Sequence, residues 1–296
     1  MKLFAFTISL ALIPLTSIAA EAPKSPNKSP SEVLEQSTPN EWHTINPDNL
    51  LINTLSDGTQ FIVYLNDFMP QVHTANIKNL ANSRWFDKAK IVRVQDNYVV
   101  QWGREEGTEI PNSVIKQPPA EYEFTAQKYR FKPLKYRDAY AAQVGFVNSW
   151  AVAGDGKNIW LPHCYSMVGV GRDMAPDVGT GQELYVVIGH SPRHLDRNIT
   201  TVGRIIDGME NLSARKRGSG QMGFYENDAE KIAFKSSILA SQLPENERPK
   251  YEIIDTNSKS FDAYINARAN RGGPFFIKPA GAVDICNSLP PIRKAK

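Results

Sequence analysis

The chain has 296 residues, with 34 lysines and arginines against 31 aspartates and glutamates, a formal charge of +3, and two cysteines. That length supports one large or two small domains with a proper core. The slight charge, with no basic block interleaved with aromatics, argues against nucleic acid as a partner, and the densest basic run, "SARKRG" at 213–218, reads as a solvated loop after a helix.

The first twenty residues hold one lysine, an apolar run from Leu3 to Leu15 interrupted by Pro14, and small residues at Ser17, Ala19 and Ala20. This is the pattern of a secretory signal peptide over 1–20, cut after Ala19 or Ala20. A membrane anchor is the rival, but the run is shorter than the ~20 apolar residues that cross a bilayer, and no basic stop-transfer cluster follows it. The expectation is export, with no membrane span once the signal is removed. Residues 21–40, "EAPKSPNKSPSEVLEQSTPN", are too poor in large apolar residues to offset the entropy of ordering and read as a flexible tether.

Order is expected from about Trp42. "NLLINTLSDGTQFIVYLN" (49–66) is two apolar runs around Asp57-Gly58, a β-hairpin signal. In 67–83, Pro70 precedes Val72, Ala75, Ile77 and Leu80 at helical spacing, which predicts a short amphipathic helix. "KIVRVQDNYVVQWG" (90–103) gives two strands about Gln95-Asp96-Asn97, while 103–138 lacks sustained periodicity and reads as a long excursion. Further short strands are expected in 142–153, 163–171, 181–189 and 199–213, the last ending in a short helix. Beyond 214 the pattern predicts a strand near 232–239 and a helix near 260–270. So many antiparallel strands with two short helices predict a mostly β chain closed into a barrel, because closure removes exposed edges.

Several motifs fail. "GVGRDM" (169–174) has Met174 where a dinucleotide fingerprint needs its third glycine, and no serine sits in a G-x-S-x-G elbow. His190 and His194 flank Ser191-Pro192 and cannot share a helical face as zinc ligands do, so no metal is expected. In an exported protein Cys164 and Cys286 are expected to form a disulfide, contributing on the order of 4 kcal/mol in the chain-entropy model. A thiol enzyme built on Cys164 would need that cysteine reduced.

One residue stands out: Arg93, a cation inside the strand-like "IVRV". A strand arginine is most often a surface residue with a packed stem and a wet head. Here the segment "WFDKAKIVRVQDNYVVQWG" resembles the cyclophilin stretch in which a phenylalanine-histidine-arginine-valine run is followed by an aromatic residue, an aliphatic or methionine, and a glutamine. The resemblance continues through "VHTANIKNLA", "YSMVGVG" and "GTGQELYVVIGHSPRHLDRNITTVGRIIDGME", covering roughly 48–212 with 103–138 unmatched.

The resemblance implies an eight-stranded antiparallel barrel capped by two helices and a peptidyl-prolyl cis-trans isomerase that needs no cofactor. It places the barrel domain at 41–213, with the 103–138 excursion inside it, and a C-terminal extension at 214–296. Carried over residue by residue, Arg93 matches the catalytic arginine and Gln101 the substrate-binding glutamine. Tyr98, Val99, Tyr185 and Leu195 match the proline pocket, His194 falls near an aromatic position, and Gly169 and Glu183 stand where the family has a backbone-holding asparagine and a glutamine. Val92, Trp102 and Ile199 are further departures. The expected substrate is a proline-containing unfolded or extended polypeptide, met by a monomer in the periplasm. The alternatives are a proline-peptide-binding or chaperone module with weak turnover, and the thiol enzyme.

Overall fold

The computed structural model describes residues 28–66, 68–105, 107–273 and 275–295. The expected signal peptide lies outside these residues. The expected tether lies partly inside them and is not loose there. Ser29 accepts from the Glu32 amide while the Glu32 carboxylate accepts from the Ser29 amide, a reciprocal cap that starts helix α1 (Pro30–Glu35) and lets Val33 bury.

Strand β1 (Trp42–Thr44) is followed by the expected hairpin, β2 (Leu50–Leu55) and β3 (Gln60–Leu65), whose turn uses Gly58 at φ +84°. Helix α2 (Gln71–Asn82) buries Ile77 and Leu80 as its spacing predicted, and Ala81 besides, whereas Val72 is half-buried and Ala75 exposed. Its first amides are capped from a distance: the Glu121 carboxylate accepts from the Val72 and His73 amides at 3.1 and 2.9 Å. Strands β4 (Lys90–Val94) and β5 (Val99–Gly103) pair antiparallel.

The excursion departs from expectation, since it is strapped down rather than irregular throughout. Asn76 of α2 exchanges hydrogen bonds with the Ile115 backbone, and the excursion contributes β6 (Phe124–Thr125) and β7 (Lys132–Leu134). These flank β8 (Gln143–Val147), β9 (Trp150–Gly154) and β10 (Asn158–Trp160) in a five-stranded sheet of order β6-β10-β9-β8-β7. The strands expected at 142–153 therefore belong to a second layer rather than to the barrel.

Strands β11 (Met167–Val170), β12 (Leu184–Val187) and β13 (Thr201–Asp207), then the one-turn helix α3 (Glu210–Ser213), follow in the barrel region. The barrel closes only with β14 (Ile232–Leu239), in the order β11-β12-β5-β4-β14-β2-β3-β13. Its boundary thus lies beyond residue 213. Phe61, Trp102 and Phe234 meet edge to face and stacked at its centre, around Val168, Val170, Leu184 and Val186.

Strand β15 (Tyr251–Ile254) joins β1 and the terminal β16 (Ile292–Lys294) in a three-stranded sheet. Helix α4 (Lys259–Ala269) packs Phe261 onto Phe146 of the second layer and shares a core with Val33 of α1. Cys164 and Cys286 are joined in a disulfide, as expected, so the C-terminal segment is tied to the loop before β11. Among the described residues no helix is long and apolar enough to cross a membrane.

Candidate active site

The site lies on the outside of the barrel wall, and one irregularity creates it. Side chains alternate along a strand, so Arg93, two residues after the buried Ile91, should point into the core. The β4–β5 register runs Ile91↔Trp102 and then Arg93↔Gln101, a bulge in which β4 advances two residues for one on β5. Val94 returns to the core fully buried. The bulge thus turns Arg93 to the outer face, beside Gln101.

The row continues across the wall. Gln101 pairs with Tyr185 on β12, and Tyr185 with Gly169 on β11. Their neighbours Val100, Trp102, Leu184, Val186, Val168 and Val170 all point inward to the core, so Arg93, Gln101, Tyr185 and Gly169 share the outward face on four consecutive strands. Val99 and Val187 form an apolar floor with Tyr185, joined by Tyr98 and Ile199. Leu195, assigned to this pocket from sequence, is outside that cluster. It sits in the turn Arg193–Leu195, which stacks His194 against the Tyr98 ring with planes 4° apart.

The Arg93 guanidinium is half-buried and held on every side. Its Nε donates to the Met222 carbonyl at 2.8 Å, Nη1 to Gln101 Oε1 at 3.0 Å, and Nη2 to Gln95 Oε1. Tyr98 and Phe224 lie at 5.5 and 5.1 Å from its central carbon. The segment bearing Met222 and Phe224 is laid along β4 by bonds from the Gly218 and Tyr225 amides to the Val94 and Val92 carbonyls. Burial draws the Arg93 pKa down from its ordinary value, opposed by the nearby Tyr98 and Glu183, and it remains a cation at any ordinary pH. Three of the five guanidinium N–H groups are engaged by these bonds, leaving two free among the described residues. The Gln101 amide is oriented in turn, accepting from Arg93 and donating to Glu183.

Beneath the row runs a buried polar chain that sequence reasoning missed. The Tyr185 hydroxyl is 2.8 Å from His163 Nε2, and His163 Nδ1 is 3.0 Å from Asp196 Oδ1. Asp196 also accepts from Trp160 Nε1 at 3.1 Å and from Arg193, which grips Asp138 with both terminal nitrogens. Burial pushes Asp196 toward protonation, but the His163 hydrogen bond and the Arg193 charge outweigh it and hold the carboxyl below its ordinary range. An ionised Asp196 only accepts, so His163 Nδ1 carries the proton of that bond, while Nε2 faces the Tyr185 hydroxyl. Burial raises the Tyr185 phenol well above its ordinary value and keeps it protonated. No spacing in the sequence joins His163, Tyr185 and Asp196, which come from three separate segments.

Gly169 makes room for this arrangement. A Cβ there would lie 2.3 Å from both Cζ and Oη of Tyr185, well inside contact distance. The glycine at 169 and the tyrosine at 185 are sterically one feature.

The comparisons fit this geometry. A family model described as "Cyclophilin type peptidyl-prolyl cis-trans isomerase/CLD" matches residues 50–233, more than half of the chain. The structure of cyclophilin AquaCyp293 from Hirschia baltica superposes with a TM-score of 0.64 at 20% identity, over 91% of this chain and 99% of that one. A cyclophilin-type isomerase from Cryptosporidium parvum, solved with the dipeptide Ala-Pro, reaches a TM-score of 0.40 at 11% identity, over 64% of this chain and 98% of that one. No curated protein matches. With the closed barrel and the matched segment together, the chain belongs to the cyclophilin-type peptidyl-prolyl cis-trans isomerase family.

Proposed function

We propose that this chain is an exported isomerase of X-Pro bonds in unfolded or extended polypeptides, with Arg93 as the catalytic donor. The observation that carries the reading is the bulge that sets an outward, multiply held guanidinium beside Gln101 and the Tyr185 floor.

Rotation about an X-Pro bond is opposed by amide resonance, with a barrier near ~20 kcal/mol. No covalent bond breaks. A donor aimed at the prolyl nitrogen localises its lone pair, weakens the C–N double-bond character, and so favours the twisted transition state over both planar ground states. The free N–H groups of Arg93 supply that donor without proton transfer. Its other three hydrogen bonds fix the plane of the fork in advance, which reduces the reorganisation required on reaction. The proline ring rests on Val99, Tyr185 and Tyr98, with His194 stacked on Tyr98 extending that wall. Gln101 has a second amide N–H that serves the substrate carbonyl. A thousandfold acceleration requires only about 4 kcal/mol of differential stabilisation, within reach of one charge-assisted hydrogen bond and a fitted pocket.

Export rests on the leader pattern and is supported by the Cys164–Cys286 disulfide, which belongs to oxidising compartments. The periplasm is the compartment proposed. The same bond removes the free thiol that a Cys164 enzyme requires.

The test is cis-to-trans relaxation of a proline tetrapeptide with the mature protein and Arg93→Ala. The expected result is a fall in kcat/KM of at least about a hundredfold, with the thermal midpoint nearly unchanged. Equal rates for the two proteins would remove Arg93 from the chemistry. Negligible turnover in both, with retained peptide affinity, would favour a binding or chaperone module, the reading to which Val92, Gly169 and Ile199 point.

A further inference from the structure

After α4 the chain makes a loop, residues 270–273 and 275–282, that carries three exposed apolar side chains in succession. Phe275 is 85% and Ile277 99% exposed, with Phe276 packed edge-on against Phe275 at 5.1 Å. Single exposed apolar residues are ordinary, but three in succession at the tip of a loop are not.

The loop is held at its base while its tip is free of the body. The Gly281 amide donates to the Ala269 carbonyl across the neck at 3.0 Å. Immediately after the neck, Val283 and Ile285 are buried in the core under α4, and Cys286 is fixed by the disulfide. The tip is thus presented from an anchored base.

Charge decides what it is presented to. From 263 to 283 the sequence contains Arg268, Arg271 and Lys278 and no acidic residue. Arg271 lies 5.3 Å over the Phe276 ring, at the margin of the apolar tip. Asp284, the next carboxylate, is exposed beside Arg268 and Arg271, and its Oδ1 is occupied in capping the Cys286 and Asn287 amides, so the cations outnumber it three to one around the tip. A stable protein interface buries on the order of 1,200 Å² or more in total, with a packed centre. Three side chains on a convex loop supply far less, and the residues beyond them, Pro279 to Ala282, are small and exposed. A membrane interface needs only a few apolar side chains with cations at headgroup level.

We propose that residues 275–277 insert into the interface of an anionic lipid surface, with Arg268, Arg271 and Lys278 at headgroup level, so that the protein binds reversibly beside a membrane. The test is co-sedimentation of the mature full-length protein with phosphatidylcholine vesicles, with and without phosphatidylglycerol. The expected result is binding only to the anionic vesicles, weakened by high salt and reduced at least about tenfold in Phe275→Ser/Ile277→Ser. The charge variant Arg271→Glu/Lys278→Glu should lose the preference for anionic lipid. Isomerase activity in solution reports that each variant is folded. No binding to anionic vesicles at low salt overturns the proposal, as does binding that survives both substitutions. Loss of a concentration-dependent dimer in the serine variant, without vesicle binding by the wild type, would assign the tip to a second copy and also overturn it.

Discussion

Gly169→Ala adds one methyl group to the outer wall, and the structure sets its cost. The new Cβ would lie 2.3 Å from Cζ and Oη of Tyr185, whereas carbon atoms rest about 3.5–4.0 Å apart. The phenol must retreat by more than about 1 Å, and it is a buried ring with its hydroxyl committed to His163 at 2.8 Å. Overpacking of this kind costs about 1–3 kcal/mol, and breaking the buried hydrogen bond costs about 1–3 kcal/mol more, since Thr201 Oγ1 at 3.4 Å is a poor substitute partner for His163. Partial relaxation sets the expectation near 3 kcal/mol, a drop in Tm of about 6 °C for a chain of this size. Because Tyr185 is also the floor of the proposed pocket, kcat/KM should fall by about 10- to 100-fold, the effect of an ångström of misplacement at a reacting centre.

The control separates ring from hydroxyl. Tyr185→Phe keeps the floor and removes only the bond to His163, so it should lose about 1–3 kcal/mol of stability and keep kcat/KM within a few-fold of the wild type. Adding Tyr185→Phe to Gly169→Ala should not rescue that variant's activity, because Cζ stands as close to the new methyl as Oη does. Thermal melts and the tetrapeptide relaxation assay read both quantities. A Gly169→Ala protein with an unchanged midpoint and unchanged rate would refute the reasoning, for it would mean that the outer wall has slack where the coordinates show none.

Acid should destabilise the fold through particular carboxylates. At Glu41 burial works toward protonation, but hydrogen bonds from Ser260 and Thr38 draw the pKa down to about 2; at Asp57 the hydrogen bond from Arg215, against burial, does the same. A depressed folded-state value contributes stability that is complete above the unfolded value, about 4, and lost as pH falls toward about 2. In urea titrations across that window, Glu41→Gln should be less stable than the wild type near neutrality and converge with it at about pH 2. A constant difference at all pH values would contradict this. Replacing Cys286 by serine opens a crosslink spanning 122 residues, worth on the order of 4–5 kcal/mol in the chain-entropy model. The variant should melt well below the wild type yet keep its tetrapeptide kcat/KM at low temperature, and loss of activity in a still-folded variant would contradict the separation of crosslink and site.

Local pattern made much of the fold legible. The β2–β3 hairpin announced itself through Asp57-Gly58, α2 through its 3.6-residue period, and the closed barrel through the number of short alternating strands. Arg93 could be picked out because a cation in a strand is conspicuous, whereas Gln101 is marked only by the resemblance to the family. The bulge that turns Arg93 outward could not be read, because a bulge is a relation between two strands and leaves no fixed mark on either. For the same reason 142–153 read as barrel strands: their alternation says that one face is buried, not against which sheet. Residues 29–35 looked too polar to order, yet a capping box and one buried valine are enough once α4 supplies the opposing face.

The buried chain explains why the second layer accompanies this site. In sequence Asp138, Trp160, His163, Tyr185, Arg193 and Asp196 are scattered over nearly sixty residues. In space Asp138 ends the excursion, Trp160 ends β10 of the second sheet, and Arg193 and Asp196 bracket the turn that holds His194 against Tyr98. All meet behind Tyr185. An ionised carboxylate this deeply buried is tolerable only because His163, Arg193 and Trp160 supply donors, and breaking one partner from such a set costs several kcal/mol. The network therefore favours a single arrangement of excursion, turn and phenol over any in which one of them has shifted. A barrel wall alone presents a row of side chains, whereas here that row is fixed from behind, so that the distance between the Arg93 fork and the Tyr185 floor is set by the whole molecule rather than by two neighbouring strands.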